Sequence, residues 1–334
     1  MRRCAVCRWH QDWEEKRARV RKVWLYTAVL VAATFFMASS FVAGKILLHV
    51  VPPFALVGWR FLCAAGATLP LALLGTRRVE AGPGSAAVPT SVRSVLAVLS
   101  IGLLQTAAVL GLTFLALRTV SAGEASILLF TNPIWVAALA PLFLSEHLSA
   151  VRMFGLVVGI VGVALAIGAP RGHSGFHGDL LVLVASLAWA ISTIITKRLQ
   201  VVMNAWWLNF WQMLVGALVL LGVAHLMHQS WPGALSLSDW AWFAWLVIPG
   251  STLSFGLWFT ALSWGGAART SSYLFLVPLF SVLLAFVILG EQITVVQILG
   301  GVLVGGSLYL VNSSRGAGRG TEAELAVEAV EQAG

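Results

Sequence analysis

The sequence predicts an all-α integral membrane protein whose ten transmembrane helices form two inverted five-helix repeats. Three observations support this fold class: an apolar composition, a long internal repeat and an uneven distribution of basic residues. Hydrophobic residues make up 59% of the 334 residues, charged residues make up 10%, and the mean hydropathy is +0.90. Soluble domains carry about a quarter charged residues, so the composition excludes a soluble globular domain.

Ten apolar runs follow one another between charged or Gly/Pro-containing breaks. Each is about 20 residues long, which is the length that spans a bilayer as a helix. Helices are expected because lipid offers no hydrogen-bond partners to open backbone, and these runs lack the apolar/polar alternation of barrel strands. The predicted spans lie near 23–44, 54–75, 94–117, 122–144, 150–169, 178–198, 205–228, 239–263, 267–289 and 293–313.

An internal repeat divides the spans into two sets of five. The block that begins at Ala122 recurs from Ala267, 145 positions later, and five of seven residues are identical where GLTFLAL aligns with GLWFTAL. Earlier spans align more weakly at a shift of 152. Because five is odd, the second copy must cross the membrane in the opposite sense to the first. Aligned pairs include Pro133 with Pro278, Glu146 with Glu291, Ser40 with Ser192, Lys45 with Lys197 and Arg60 with Gln212.

Basic residues predict the orientation. With the N-terminus inside, seventeen Lys/Arg fall in cytoplasmic segments and three in outer segments, an excess that places both termini in the cytoplasm. The first apolar run lacks a small-residue cleavage site, so we expect a multi-pass protein of the cell membrane. The predicted organisation is a basic cytoplasmic tail at 1–22, a first repeat at 23–169, a second repeat at 170–313 and an acidic cytoplasmic tail at 314–334.

Patterns typical of enzymes and metal sites are weak or missing. We find no zincin, Walker or nucleophile-elbow motif, and therefore expect neither an enzyme nor an ATP-driven pump, and no cofactor. Cys4 and Cys7 form a C-x-x-C with His10 nearby, but structural zinc needs four ligands, and chance spacing is favoured over a metal site. The net charge of +8 lies mostly in residues 1–22 and does not indicate nucleic acid.

Charged residues inside spans usually face a cavity or a partner, because they are costly in lipid. We expect Glu124 to pair with Arg60 or Lys45, either as an outer gate or, as we favour, as a fixed structural bridge. Snorkelling to headgroups is the alternative for Lys45. Glu146 and Glu291 lie between spans and are expected to accept backbone N–H groups at the starts of the fifth and tenth helices; proton coupling is the alternative.

Prolines and glycines mark two further features of both copies. Pro133 and Pro278 lie mid-span, where proline removes a donor and loosens the helix, so each is either a hinge or a tolerated kink. Glycines at helical spacing in the fifth and tenth spans predict close helix packing within the chain rather than a dimer. These glycines are Gly155, Gly159, Gly162, Gly301 and Gly305.

Weakly polar and aromatic residues deep in the spans compose the predicted substrate cavity. Trp189 and Trp258 lie deep and close to small hydroxyl residues, although ordinary packing explains any single tryptophan equally well. With few fixed charges, such a cavity favours neutral, zwitterionic or aromatic solutes. The predicted substrate-binding residues are Thr34, Gln105, Asn132, Trp189, Ser192, Ser254, Trp258 and Tyr273.

Taken together, the motifs resemble the EamA-type transporters of the drug/metabolite transporter superfamily. The resemblance covers roughly residues 25 to 312 and rests on three patterns: the duplicated A-x-x-S … P … (S/G)-E-(H/Q)-(L/I)-(S/T) … G block, the S-S-x-x-x-G-K end of the first span and Arg60 in WRFLCAAG. It implies ten helices in two inverted repeats around a central cavity, and movement of small metabolites by alternating access. It does not name a substrate.

The sequence therefore predicts a secondary transporter, with efflux of a small organic metabolite or drug, such as an amino acid or aromatic compound, as the expected activity. Its partners would be the solute, the lipid bilayer and, if transport is energised, protons, with Glu124 as the carboxylate able to couple them. The runner-up is an accessory or non-transporting membrane protein, for example in lipid-carrier handling. A channel is disfavoured because no polar stripe runs along any one span.

Overall fold

A computed structural model gives the structure of the chain. It describes residues 5–78, 88–89, 91–144, 150–167, 174–199, 203–261, 272–292, 294–307 and 309–310. Every regular element within those ranges is a helix, as predicted, and large apolar side chains such as Leu142 and Val302 remain exposed on helix faces. In a chain of this composition, such faces are the ones that contact lipid.

The described part of the first half contains seven α-helices and one π-helical segment. They are α1 (Ala5–Leu47), α2 (Pro53–Arg78), α3 (Val92–Ser100), the π-helical segment Ile101–Ala108, α4 (Val109–Ala116), α5 (Ala122–Leu129), α6 (Asn132–Leu144) and α7 (Ala150–Ile167). Because α1 begins at Ala5, most of the basic N-terminal segment continues the first helix. Cys4 lies outside the described residues.

The second half repeats this order. Its elements are α8 (Ser174–Leu199), α9 (Ala205–Leu226), α10 (Leu237–Val247), the π-helical segment Ile248–Leu253, α11 (254–261), the 3-10 turn Ser272–Phe275, α12 (Leu276–Leu284), the π-helical segment Ala285–Leu289 and α13 (Val295–Ser307).

Among the described residues, six helical stretches are long and apolar enough to cross a membrane. They are Trp24–Leu47, Pro53–Leu74, Val92–Ala116, Phe176–Thr196, Trp206–Leu226 and Leu237–Ala261. The other four predicted spans coincide with apolar helices that are shorter or interrupted, namely α5 with α6, α7, α12 with its flanking segments, and α13. The chain is thus an all-helical, multi-pass membrane protein. Ten crossings and an inverted second half stay predictions.

The two π-helical segments at 101–108 and 248–253 occupy matching places in the repeat, because a shift of 145 carries the first onto 246–253. A π-helix bonds N–H groups to carbonyls five residues back, and it often occurs at functional sites. In the second segment Pro249 lacks an N–H group, which helps to break the α-helical ladder. Neither segment carries a sequence pattern that predicts a π-helix.

Helix interruptions also precede both mid-span prolines. Residues 130 and 131 separate α5 from α6, and Pro133 is the second residue of α6. In the second half a 3-10 turn precedes α12, and Pro278 is the third residue of α12. Each proline denies its usual donor to the carbonyl four residues earlier, so a break at this place follows from the sequence. Whether the breaks act as hinges stays a prediction.

Contacts between the halves follow the repeat. Helix α1 packs on α12 and on the π-helical segment 248–253, while its repeat mate α8 packs on α6 and on the π-helical segment 101–108. Helices α2 and α9, which are mates of each other, share an extensive contact. Each helix of a repeat pair therefore packs on elements of the opposite half, in equivalent positions. A common core of buried apolar residues joins the two halves.

Glycines allow the fifth and tenth predicted spans to approach closely. A Cβ atom built on Gly162 of α7 would lie 2.8 Å from the backbone nitrogen of Val304 in α13, and one on Gly159 would lie 2.5 Å from Ser307 Oγ. Ser307 Oγ also donates to the carbonyl of Gly155 at 2.6 Å. The prediction that these glycines serve packing within the chain is confirmed for α7.

Candidate functional site

A cavity lies between the two halves of the molecule. The space between its walls that no atom fills is about 620 Å³, with open solvent at its mouth included. Helices α1, α2, α4 and α5 and the π-helical segment 101–108 contribute walls from the first half. Helices α8 and α11, the π-helical segment 248–253 and the 3-10 turn contribute walls from the second. The lining residues are Met37, Ser40, Phe41, Arg60, Gln105, Val109, Leu110, Leu129, Phe130, Trp189, Gly250, Phe255, Trp258 and Leu274.

Eight of these fourteen lining residues form four pairs that the internal repeat relates. A shift of 145 relates three pairs and a shift of 152 relates the fourth. The two halves therefore contribute equivalent sequence positions to the walls of one cavity, which is where carriers built from repeats hold their substrate. The pairs are Gln105 with Gly250, Leu110 with Phe255, Leu129 with Leu274, and Met37 with Trp189.

Arg60 of α2 reaches across to the π-helical segment of the second half. Its side chain is 1% exposed; Nε donates to Ser251 Oγ at 2.7 Å, and Nη2 donates to the Gly250 carbonyl at 2.9 Å. Ser251 Oγ in turn donates to the carbonyl of Leu246 at 2.8 Å. The local departure from α-helical bonding thus supplies the oxygen atoms that hold this buried cation.

Two aromatic rings complete the surroundings of Arg60. Its Cζ lies 5.0 Å from the ring centroid of Phe61 and 5.3 Å from that of Phe114, distances at which a cation and a ring attract. Its Nη1 is buried and has no hydrogen-bond partner among the described residues. The hydrogen bonds of Arg60 described above go to the second half, and the expected pairing of Glu124 with Arg60 or Lys45 stays a prediction. Glu124 is buried in the first turn of α5, and its gating or coupling role stays a prediction.

Lys45 joins the halves at the end of α1. Its Nζ lies 3.0 Å from Glu291 Oε1 and donates to the carbonyl of Val120. Both carboxylate oxygens of Glu291 accept the backbone N–H of Ala122, at 3.2 and 3.0 Å. A carboxylate from the second half therefore caps the N-terminus of α5 in the first half, where the helix dipole favours a negative charge.

The prediction that Glu291 caps the tenth helix is wrong. Helix α13 is capped locally: Thr294 Oγ1 accepts the N–H of Gln297 at 3.2 Å, and Gln297 Oε1 accepts the N–H of Thr294 at 3.1 Å. This reciprocal pair satisfies the donors that Glu291 was expected to satisfy, so its carboxylate can reach Ala122. The matching prediction for Glu146 falls outside the described residues.

Three of the eight predicted substrate-binding residues line the cavity: Gln105, Trp189 and Trp258. Three hydroxyl residues instead bond to backbone carbonyls: Thr34 to Leu30 at 2.8 Å, Ser254 to Gly250 at 2.8 Å and Ser192 to Ser100 at 3.5 Å. Asn132 is buried outside the lining. Tyr273 shares a hydrogen bond with Thr27 at 3.3 Å and packs edge-on against Tyr26. A direct substrate contact for these five residues stays a prediction.

The apolar part of the lining was not predicted. Met37, Leu110 and Leu129 resemble any other apolar residue of a span, so composition alone does not distinguish them. The repeat offers a way to find them, because their mates Trp189, Phe255 and Leu274 lie in the same cavity. Applying the two shifts to every deep aromatic residue would have selected Met37 from Trp189.

Comparisons with known proteins agree with this architecture. Residues 24–168 and 176–313 each match the EamA-like transporter family. The uncharacterized transporter YoaV of Bacillus subtilis is 25% identical over 82% of this chain and 92% of its own length. A WAT1-related chloroplastic protein of Arabidopsis thaliana is 26% identical over 86% of this chain and 69% of its own length.

Two further matches extend the comparison. A protein of Salmonella typhimurium named "Probable amino-acid metabolite efflux pump" is 27% identical over 85% of this chain and 93% of its own length. A solved crystal structure shares the fold with a TM-score of 0.60 at 18% identity, covering 85% of this chain and 96% of its own. With the family matched in both halves, the chain belongs to the EamA-like transporter family of the drug/metabolite transporter superfamily.

Proposed function

We propose that the protein is a secondary transporter that exports a small organic metabolite or drug, such as an amino acid or an aromatic compound. The observation that carries this proposal is the cavity whose walls pair residues of the two halves. A site on the axis that relates two repeats can be presented to either side of the membrane by equivalent movements of the halves. Efflux is favoured because the Salmonella relative is named for it.

In this proposal the two halves, 23–169 and 170–313, each cross the membrane five times in opposite senses, with the tails 1–22 and 314–334 in the cytoplasm and the protein in the cell membrane. The π-helical segments and the breaks before Pro133 and Pro278 are the places where helices bend during the exchange. Lys45 and Glu291 hold one end of the route closed. Protons are the proposed coupling ion, with Glu124 as the carboxylate that carries them.

The test is solute exchange by the purified protein in proteoliposomes. We expect saturable uptake of at least one labelled solute from a panel of amino acids and aromatic compounds, accelerated by unlabelled solute inside and without single-channel conductance. Replacing Leu110 with Trp fills the cavity and should abolish uptake. Leu226, which is 78% exposed at the end of α9, is the matched control, and Leu226→Trp should leave uptake intact.

Two outcomes would contradict the proposal. Absence of uptake of every solute in the panel by folded protein would favour the accessory role. Single-channel conductance of the reconstituted protein would favour a channel.

A further inference from the structure

We propose that the cavity recognises its solute by a single carboxylate group, which binds the guanidinium of Arg60, while an aromatic or branched apolar body occupies the rest of the space. This inference rests on the proposed function for the role of the cavity and adds the class of solute. The favoured cargo is a monoanion with one apolar body, rather than a neutral or cationic compound.

The hydrogen-bond inventory of Arg60 supports an anionic partner. A guanidinium carries five N–H donors, and the second half accepts from Nε and Nη2, leaving Nη1 without an acceptor among the described residues. A buried cation with donors left over is costly unless an anion completes it. Carboxylates match the planar guanidinium, since they accept two parallel hydrogen bonds from it.

Arg60 is the single charged residue in the described lining, which contains no Asp or Glu. Its repeat mate is the neutral Gln212, which bonds to Asn209 Oδ1 at 2.8 Å. The cavity is therefore symmetric in its apolar walls and asymmetric in its charge. One positive charge in a lining without carboxylates favours a monoanion, opposes a cationic amine and leaves a second negative charge unmatched.

The remaining walls fit an apolar body. Trp189 packs edge-on against Phe130 with ring centroids 5.5 Å apart, and Phe255 packs against Phe61 at 6.4 Å. Aromatic walls of this kind contact a ring or a branched chain through offset or edge-on geometry. Gln105 adds one neutral amide to the lining, which can donate to a carboxylate or accept from a polar substituent of the body.

The direct test uses three probes of one size that differ in charge: phenylacetate, phenylacetamide and phenethylamine. Isothermal titration calorimetry on the full-length protein in nanodiscs would measure their affinities. A hydrogen-bonded charge pair predicts that phenylacetate binds on the order of tenfold to a hundredfold more tightly than the amide, and that the amine binds least. An amide or amine that binds as tightly as phenylacetate, or the absence of binding by all three, would overturn the inference.

Variants then assign the preference to Arg60. Arg60→Gln installs the residue found at the matching position of the second half and should reduce the phenylacetate-to-amide ratio to near unity, while Arg60→Lys should restore part of it. Arg118→Gln removes an exposed basic residue and should leave the ratio unchanged. An unchanged ratio in a folded Arg60→Gln protein would overturn the assignment. If that variant does not fold, the wild-type probe series decides alone.

Failure of this inference and failure of the proposed function give different results. Exchange of neutral solutes but not of phenylacetate in proteoliposomes would keep the transporter and remove the carboxylate site. Tight, Arg60-dependent binding of phenylacetate without any exchange would keep the carboxylate site and remove the transporter.

Discussion

Lys45 and Glu291 form an ion pair between the two halves, with Nζ and Oε1 3.0 Å apart. They lie far apart in the chain, at the end of α1 and in the segment that precedes α13. The same carboxylate caps α5 by accepting the N–H of Ala122. The Glu291 side chain thus connects three segments: the end of α1, the start of α5 and the segment that precedes α13.

A double-mutant cycle should detect this connection as an energetic coupling. Lys45→Gln and Glu291→Gln each remove one charge, and for a pair with side chains 25% and 15% exposed we expect a coupling of roughly 1 kcal/mol. Glu291→Ala also removes the acceptor of the Ala122 N–H, while Ser121 still caps α5, and should cost about 1 kcal/mol more than Glu291→Gln. The measurement is the unfolding free energy of the purified protein in SDS titration.

The control is Asp239, which caps its own helix α10 together with Ser236. The effect of Asp239→Asn on the unfolding free energy should be additive with that of Lys45→Gln. Additive effects of the Lys45 and Glu291 variants would instead show no coupling between the halves.

Glycine positions in the seventh and thirteenth helices should respond differently to alanine. A Cβ on Gly162 would lie 2.8 Å from the Val304 nitrogen and 2.9 Å from the Gly300 carbonyl oxygen, both of which are backbone atoms. Gly162→Ala should therefore lower the unfolding free energy by about 1–3 kcal/mol. Gly305 is the control, because nothing lies within 4 Å of its added Cβ, and Gly305→Ala should be neutral or slightly stabilising. Equal effects at the two sites would mean that α7 and α13 do not pack as described.

The mid-span prolines should govern the rate of transport rather than affinity. Replacing Pro133 or Pro278 by alanine restores a backbone donor and stiffens a broken helix. We expect slower exchange in proteoliposomes with unchanged solute affinity and equal or higher thermal stability. Pro70 lies inside α2 without a described break, so Pro70→Ala is the matched control and should not slow exchange. Exchange at the wild-type rate in both repeat variants would show that the breaks are tolerated kinks.

Solute contact should separate the predicted residues into two groups. Trp189→Ala and Trp258→Ala remove walls of the cavity and should weaken binding of a transported solute by more than tenfold, as loss of a buried aromatic contact does. Asn132→Ala should change affinity by less than threefold, because Asn132 lies outside the lining. Trp240, which is 49% exposed, serves as the control for loss of a tryptophan. A larger effect from Asn132 than from either cavity tryptophan would contradict this map of the cavity.

Much of the fold follows from the sequence, because lipid permits only helices and the repeat fixes which helices are equivalent. The roles of polar residues were harder to predict, because a polar side chain in a span can either face the cavity or bond to the backbone of its own helix. Thr34 and Ser254 looked like cavity ligands, yet a buried hydroxyl on a helix readily bonds to the carbonyl three or four residues back. Sequence position alone does not distinguish these two fates.

The partners of charged residues were also hard to predict. Depth in the membrane was the basis for expecting Glu124 near Arg60, and that pairing stays a prediction. In the structure Arg60 donates to Ser251 and to the Gly250 carbonyl of the π-helical segment with Pro249, two partners that depth does not indicate. Helix register of that kind depends on packing between the halves. Similarly, Thr294 and Gln297 cap α13, while Glu291 bonds to Ala122 of the first half.

The central claim is that the space between matched residues of the two halves is the route of the solute. Leu110 and Phe255 are repeat mates that both line it, so Leu110→Cys and Phe255→Cys can be compared in protein whose natural cysteines have been replaced. The measurement is labelling by a membrane-impermeant thiol reagent applied from each side of proteoliposomes, with and without transported solute. The account predicts that both cysteines react from both sides and that solute protects both. Labelling from one side only, or labelling that solute does not slow, would contradict it.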